Sequence, residues 1–250
     1  MTFWEHLDEL RGSMVRILAA IGVATVAAFC CKEALFSALL WPQAPDFPAN
    51  ALMAAVTGVP FRAHLVNIDL AQQFLTHVKA SLWAGLLLAM PYVLYVLFRF
   101  VAPALHGGER RHAVRAVLAG YALFLMGVAL AYFVVFPVTF RFLAGYQVSA
   151  VVRNAVSLAS YMSVLLTLCL ALGAAFEVPV LCWLLAKMGV LSAAAMRRRR
   201  RHAIVVVVVA AAVVTPTGDP FTLAVVSLPL YLLFEASVAV AARAQRQENP

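Results

Sequence analysis

Glu177 is the only charged residue in the apolar run from Leu158 to Ala186, LASYMSVLLTLCLALGAAFEVPVLCWLLA. As a helix that run is ~40 Å long at ~1.5 Å per residue, enough to cross the ~30 Å hydrocarbon core of a bilayer. A carboxyl group at such depth costs roughly 2.5–3.5 kcal/mol on insertion scales, so it is normally compensated. Two residues on, Pro179 has no N–H and leaves the carbonyl of Ala175 without its helical donor. An acid and a free carbonyl at nearly one depth predict a wet or protein-lined recess. The plainer alternative is a protonated carboxyl that joins two helices.

A second set of ionisable groups flanks the apolar runs. In the stretch Phe3 to Arg11, the residues Phe3, Leu7 and Leu10 recur at helical spacing, which predicts an amphipathic helix on the membrane surface. Its acids, Glu5, Asp8 and Glu9, are unusual there, because anionic lipids repel them; a solvated face is the simple account. Further on, FRFVAPALHGGERR and the Arg115 that follows it set Glu109 among Arg99, Arg110, Arg111 and Arg115, in one loop with the aromatic Phe100. A local ion pair would explain this, worth under ~1 kcal/mol if exposed. Carboxylates also accept guanidinium groups bidentately, so two acidic spots on one face fit a pair of arginines on a partner.

Catalytic patterns are missing. The histidines (His6, His64, His77, His106, His112 and His202) form no H-E-x-x-H, and the chain has no G-x-S-x-G and no P-loop. Cys30, Cys31, Cys169 and Cys182 lie within apolar runs without C-x-x-C spacing, as small core hydrophobes do. Neither an enzyme nor a cofactor or metal site is expected.

The elements that must carry these groups follow from composition. Of 250 residues 64% are hydrophobic and 12% charged, against ~45–50% and ~25% in soluble domains, so a polytopic all-α membrane protein is expected, as one integral domain over 1–250. Six apolar segments stand out, at about 14–31, 80–98, 116–140, 158–186, 203–214 and 221–242. A proline-rich linker from Lys32 to Lys79 separates the first two. The fifth segment is ~18 Å long as a helix, too short for an ordinary bilayer, and implies local thinning or shelter by its neighbours. Fourteen of the 19 Lys and Arg fall on the side holding both termini; the other five are Lys32, Arg62, Lys79, Arg141 and Arg153. Positive-inside therefore puts both termini in the cytoplasm, and the net charge of +8 reports topology rather than nucleic-acid binding. The run Arg197 to Arg201 is most economically a topology signal and lipid-headgroup anchor, with a partner site as the alternative.

Five blocks occur in order: HLDELR before the first span, FVAPALHGGERR after the second, AYFVVFP closing the third, FEVPV in the fourth and TPTGDP after the fifth. The chain resembles TatC, the signal-peptide receptor family of the twin-arginine protein translocase, from about Phe3 to Glu235. The resemblance implies a concave bundle of six transmembrane helices with short fifth and sixth spans, in a bacterial inner membrane. It implies binding of Arg-Arg signal peptides on folded cargo, TatA-like and TatB-like single-span partners, other TatC copies, and export driven by the proton-motive force. Carried over by position, Glu9, Arg11, Phe100, Glu109 and Arg111 match the signal-binding face, and Glu177 the acid within the fourth helix. Pro42, Thr215 and Asp219 match the region that docks single-span partners. The usual TPPD turn is here TPTGD, which displaces Asp219 by one residue, and Thr222 and Leu223 stand where a Gln is common. A proton- or ion-coupled transporter using Glu177 is the competing reading; it would want several facing intramembrane polar groups, and only Glu177 and Glu235 qualify.

Overall fold

The computed structural model describes residues 3–58, 64–101, 110–149 and 154–248. Helix α1 runs unbroken from Phe3 to Cys30, so the expected surface helix at the N-terminus is instead the first part of α1. Nothing between Trp4 and Met14 stops a helix: Gly12 is a single weak former and no proline intervenes. After a break at Cys31 come α2 (Lys32–Leu40), a 3-10 turn (Trp41–Gln43) and α3 (Pro48–Thr57). Much of the expected linker is thus folded. The strand β1 (Leu65–Val66) pairs in parallel with β2 (Val156–Ser157), tying this region to the chain before the fourth apolar run.

Next come α4 (Gln72–Val101), α5 (Arg110–Leu130), a π-helical turn (Ala131–Val135) and α6 (Phe136–Gly145). The π turn ends two residues before Pro137, whose ring cannot share space with the carbonyl four residues back and whose missing N–H breaks the ladder. The fourth apolar run becomes α7 (Leu158–Ala175) and α8 (Val178–Lys187), separated at Phe176 and Glu177 where Pro179 opens the second helix. The short α9 (Ala193–Arg198), α10 (Arg200–Val214) and α11 (Pro220–Glu248) complete the chain.

Among the described residues five helical stretches are long and apolar enough to span a membrane: Arg11–Cys30, Gln72–Arg99, Val117–Gly145, Leu158–Lys187 and Pro220–Gln245. With 15 residues α10 reaches only ~22 Å, in line with the short fifth segment. The sixth helix is not short. α11 has 29 residues, because no breaker follows Pro229 and its polar end is held by the chain beside it: Gln245 donates to the carbonyl of Leu191 (3.1 Å) and accepts from the N–H of Ala193 (3.2 Å).

Helix α7 is the centre of the bundle, with Leu165, Leu168, Cys169 and Leu172 wholly buried against α4, α5 and the π turn. In lipid, apolar burial between helices yields little, so close packing must hold them. Small residues provide it. A Cβ at Gly127 of α5 would lie 2.5 Å from the Leu172 carbonyl oxygen, and one at Gly173 of α7 2.8 Å from the Phe124 ring. Likewise a Cβ at Gly85 of α4 would meet the Thr25 backbone nitrogen of α1 at 2.6 Å.

Candidate functional site

The α7–α8 break places Glu177 in the first position before α8, with its carboxylate turned toward α5. Gly120 makes room for it: a Cβ there would lie 3.0 Å from Oε2 and 3.4 Å from a methyl group of Leu94 on α4. Glu177 is 9% exposed, so the recess is protein-lined. Its Oε1 is buried with no hydrogen-bond partner among the described residues, where nearly all buried polar atoms in proteins have one. At the break Glu177 N–H donates to Ala174 (3.1 Å) and the Glu177 carbonyl accepts from Val180 and Leu181 (both 3.0 Å), while among the described residues no backbone N–H across the break donates to the Ala175 carbonyl.

The second intramembrane acid has a different fate. Glu235 of α11 accepts from Arg200 at 2.7 Å and from the Tyr231 hydroxyl at 3.2 Å. One member of the arginine run therefore has an internal partner, which sequence reasoning missed. Tyr231 and Glu235 one helical turn apart were the local signal; Arg200 lies 35 residues away.

For the residues at the termini-bearing end, α1 and α4 pack antiparallel, with Thr25 against Gly85 and the Phe29 ring stacked on His77 at 4.0 Å. Sixteen residues back from Thr25 along α1 is Glu9, and sixteen forward from Gly85 along α4 is Val101, adjacent to Phe100. The register thus brings Glu9 and Phe100 level at one end of the bundle. Arg11 is exposed, and Arg111 lies in the first turn of α5. Glu109 lies outside the described residues.

At the opposite end the chain forms a built cap. Pro42 is buried, and its carbonyl and that of Ala44 each accept from Asn50 Nδ2 at 2.9 Å. Phe47 is fully buried, stacked on Phe133 at 5.6 Å, with Trp41 and Tyr132 edge-on. The last carbonyls of α2 are satisfied from afar: Tyr132 donates to Ala38, and Tyr161 to Leu39 at 3.0 Å. The aromatic AYFVVFP block therefore also serves the protein interior, besides any role at the membrane interface. Thr215 is buried at the end of α10, and Asp219 caps α11, accepting from Thr222 N–H (2.7 Å) and the Thr217 hydroxyl (2.6 Å). Burial pushes the Asp219 carboxyl up, but the bonds from Thr217 and Thr222 outweigh it and hold the group below its usual range. Pro42 and Asp219 are joined through α6, which touches the 3-10 turn and stacks Phe142 on Phe221 of α11 at 4.0 Å.

Among the described residues no cluster of His, Cys, Asp and Glu could hold a metal ion. The family model for the Sec-independent protein translocase protein TatC matches residues 5–229. The Sec-independent protein translocase protein TatC of Azotobacter chroococcum mcd 1 is 36% identical, over 98% of this chain and 91% of its own length. The protein of the same name from Escherichia coli (strain K12) is 33% identical, over 93% and 85% respectively. A crystal structure of the twin arginine translocase receptor TatC superposes with a TM-score of 0.81 at 29% identity, covering 96% of this chain and all of that one. With most of its length matched by the family model and by relatives more than 30% identical, the chain belongs to the TatC family of Sec-independent protein translocase proteins.

Proposed function

We propose that this protein is the membrane receptor that takes up twin-arginine signal peptides of folded proteins for export, with its signal-binding face formed by the start of α1, the end of α4 and the segment leading into α5. The observation that carries this reading is the antiparallel α1–α4 register, which sets the acidic HLDELR segment level with the start of the FVAPALHGGERR loop. Glu9 and Glu109 receive the two guanidinium groups there, and Arg11, Phe100 and Arg111 complete the face. As a translocase component the chain is not an enzyme. Six crossings in one integral domain are the reading that five long apolar helices and the short α10 support. Fourteen of 19 cationic residues on one side support cytoplasmic termini in a bacterial inner membrane.

TatA-like and TatB-like single-span helices dock near Thr215, Asp219 and the Pro42 cap, alongside other copies of the chain, and the proton-motive force drives transport. Glu177 supplies an intramembrane polar contact during transport: its carboxyl already lacks a partner on Oε1, so it can hydrogen-bond a helix or water admitted at the α7–α8 break.

The test is a peptide-binding measurement. Charge-assisted bonds of this kind contribute roughly 1.5–3 kcal/mol, so Glu109→Ala should weaken an Arg-Arg peptide by about tenfold or more and leave a Lys-Lys peptide nearly unchanged. Equal loss for both peptides would mean that Glu109 only shapes its loop.

A further inference from the structure

The arginine run is not uniform. Arg200 is tied to Glu235 at 2.7 Å, whereas the neighbouring Arg199, at the junction of α9 and α10, has no acidic partner among the described residues. Arg199 stands instead at the mouth of a cavity of about 580 Å³ between α9, α10, α11 and the α7–α8 break. That volume falls within the ~300–1,000 Å³ typical of small-molecule sites. Below Arg199 the α10 wall is formed by His202, Val206 and Ala210, at helical steps of three and four along a single face. Phe234 of α11 and Val178 of α8 close the other sides. Val206 lines the cavity yet is 65% exposed, so the slot opens sideways rather than being sealed.

A cation over an apolar slot matches a molecule with an anionic head and a hydrocarbon tail. Length decides between such a molecule and a protein helix. From Arg199 to Ala210 the slot is ~16 Å deep, about half of the ~30 Å hydrocarbon core. That is the depth of one leaflet, whereas a transmembrane partner would need the full thickness. We infer that this cavity holds an acyl chain of one anionic phospholipid, with its phosphate on Arg199 and His202. The lipid fills the gap between α10 and the α7–α8 break, and so braces a thin helix that otherwise packs chiefly on α11.

Native mass spectrometry of the full chain in detergent tests this, with phosphatidylglycerol and phosphatidylcholine of matched chains as probes. The wild type should retain phosphatidylglycerol in preference. Arg199→Gln should cut that preference about fivefold, the scale of one cation at a lipid surface, while Arg197→Gln, outside the cavity, should not. Filling the slot by Ala210→Phe, or by Val206→Phe at the exposed edge where folding is safest, should reduce retention of both lipids. Glycerophosphate, a head without chains, should not compete. Equal effects of Arg197→Gln and Arg199→Gln would reduce the run to surface charge and overturn the inference. So would displacement by glycerophosphate, or undiminished lipid retention in both filled variants. Capture of a single-span protein that the filled variants lose while lipid retention stays normal would assign the slot to that helix instead.

Discussion

Glu177 and Glu235 are the same residue type in similarly apolar helices, yet their surroundings diverge. Around Glu235 the chain supplies an arginine and a tyrosine hydroxyl, and both side chains of the ion pair are partly uncovered at the protein surface, 50% for Arg200 and 30% for Glu235. Around Glu177 it supplies a glycine, a leucine methyl group and a helix break, and leaves a buried oxygen unbonded. One acid is satisfied by the fold; the other has a buried oxygen without a hydrogen bond among the described residues. A carboxyl at membrane depth is costly, and that cost is what the role proposed for Glu177 would use. The contrast also bears on the transporter alternative: a coupled ion path needs polar groups facing one another, and these two acids lie on different helices with separate surroundings.

The strongest test of the contrast removes each acid in turn. Glu177→Leu should insert normally but lose export by about tenfold or more, the scale of a lost bond to a strongly polar group. Glu177→Gln, which keeps hydrogen-bonding atoms, should retain much of the activity. Export assays with a folded Arg-Arg reporter, normalised to membrane levels, give the readout. A Leu variant that exports as well as wild type would return Glu177 to the helix-joining role.

Gly120 offers a subtler perturbation of the same place. Its added Cβ would approach Oε2 of Glu177 to 3.0 Å, close enough to push the end of a flexible side chain without breaking the helix contact. Gly120→Ala should therefore lower export severalfold at normal protein levels. In a Glu177→Leu background the same change should add little, because both act on one carboxyl. Full additivity in that double variant would separate Gly120 from the acid.

How far the sequence carried these conclusions depends on distance along the chain. Apolar run lengths located the long helices, and Pro137 and Pro179 lie just after the two interruptions within them. The local pattern of α10 announced a short helix. The cap at the other end was illegible, because its bonds join residues far apart: Tyr161 reaches Leu39 across 122 positions, and the Asn50 clamp needs a turn whose prolines read only as linker. The Glu177 recess was legible as a demand for shelter. That Gly120 provides it was not, since a glycine in an apolar run signals nothing until a second helix is laid against it. The short sixth span was implied by the resemblance alone; the apolar segment at 221–242 already has spanning length, and α11 exceeds it.

Next in size is the Arg200–Glu235 pair. With Arg200 in the arginine run at the membrane-surface end of α10, the pair is expected to behave as a surface one, so a double-mutant cycle with Arg200→Gln and Glu235→Gln should give a coupling under ~1 kcal/mol. Thermal unfolding in detergent measures it, and export should stay within about twofold of wild type, as expected of a structural surface pair. If Glu235→Gln abolished export as Glu177→Leu is expected to, the two acids would share a role and the contrast drawn above would fail.

The smallest effect belongs to Asp219, whose carboxyl starts α11 ahead of Pro220 by accepting from the N–H of Thr222. A side-chain cap of this kind contributes about 1 kcal/mol, and Asp219→Ala should cost that much, while Asp219→Asn, which still offers an oxygen, should cost less. The pH dependence has a definite sign. Because hydrogen bonds hold the folded-state carboxyl below its usual value, its stabilisation is complete above the ordinary carboxylate range and disappears as pH falls through the lowered value. The gap in unfolding midpoint between wild type and Asp219→Ala should thus be constant from neutral pH to mildly acidic pH and shrink only in strong acid. A gap that closed already near neutral pH would show that some other titrating group controls this turn. A gap that never appeared would show that Pro220 alone, with its preset φ at the first helical position, suffices to start the helix.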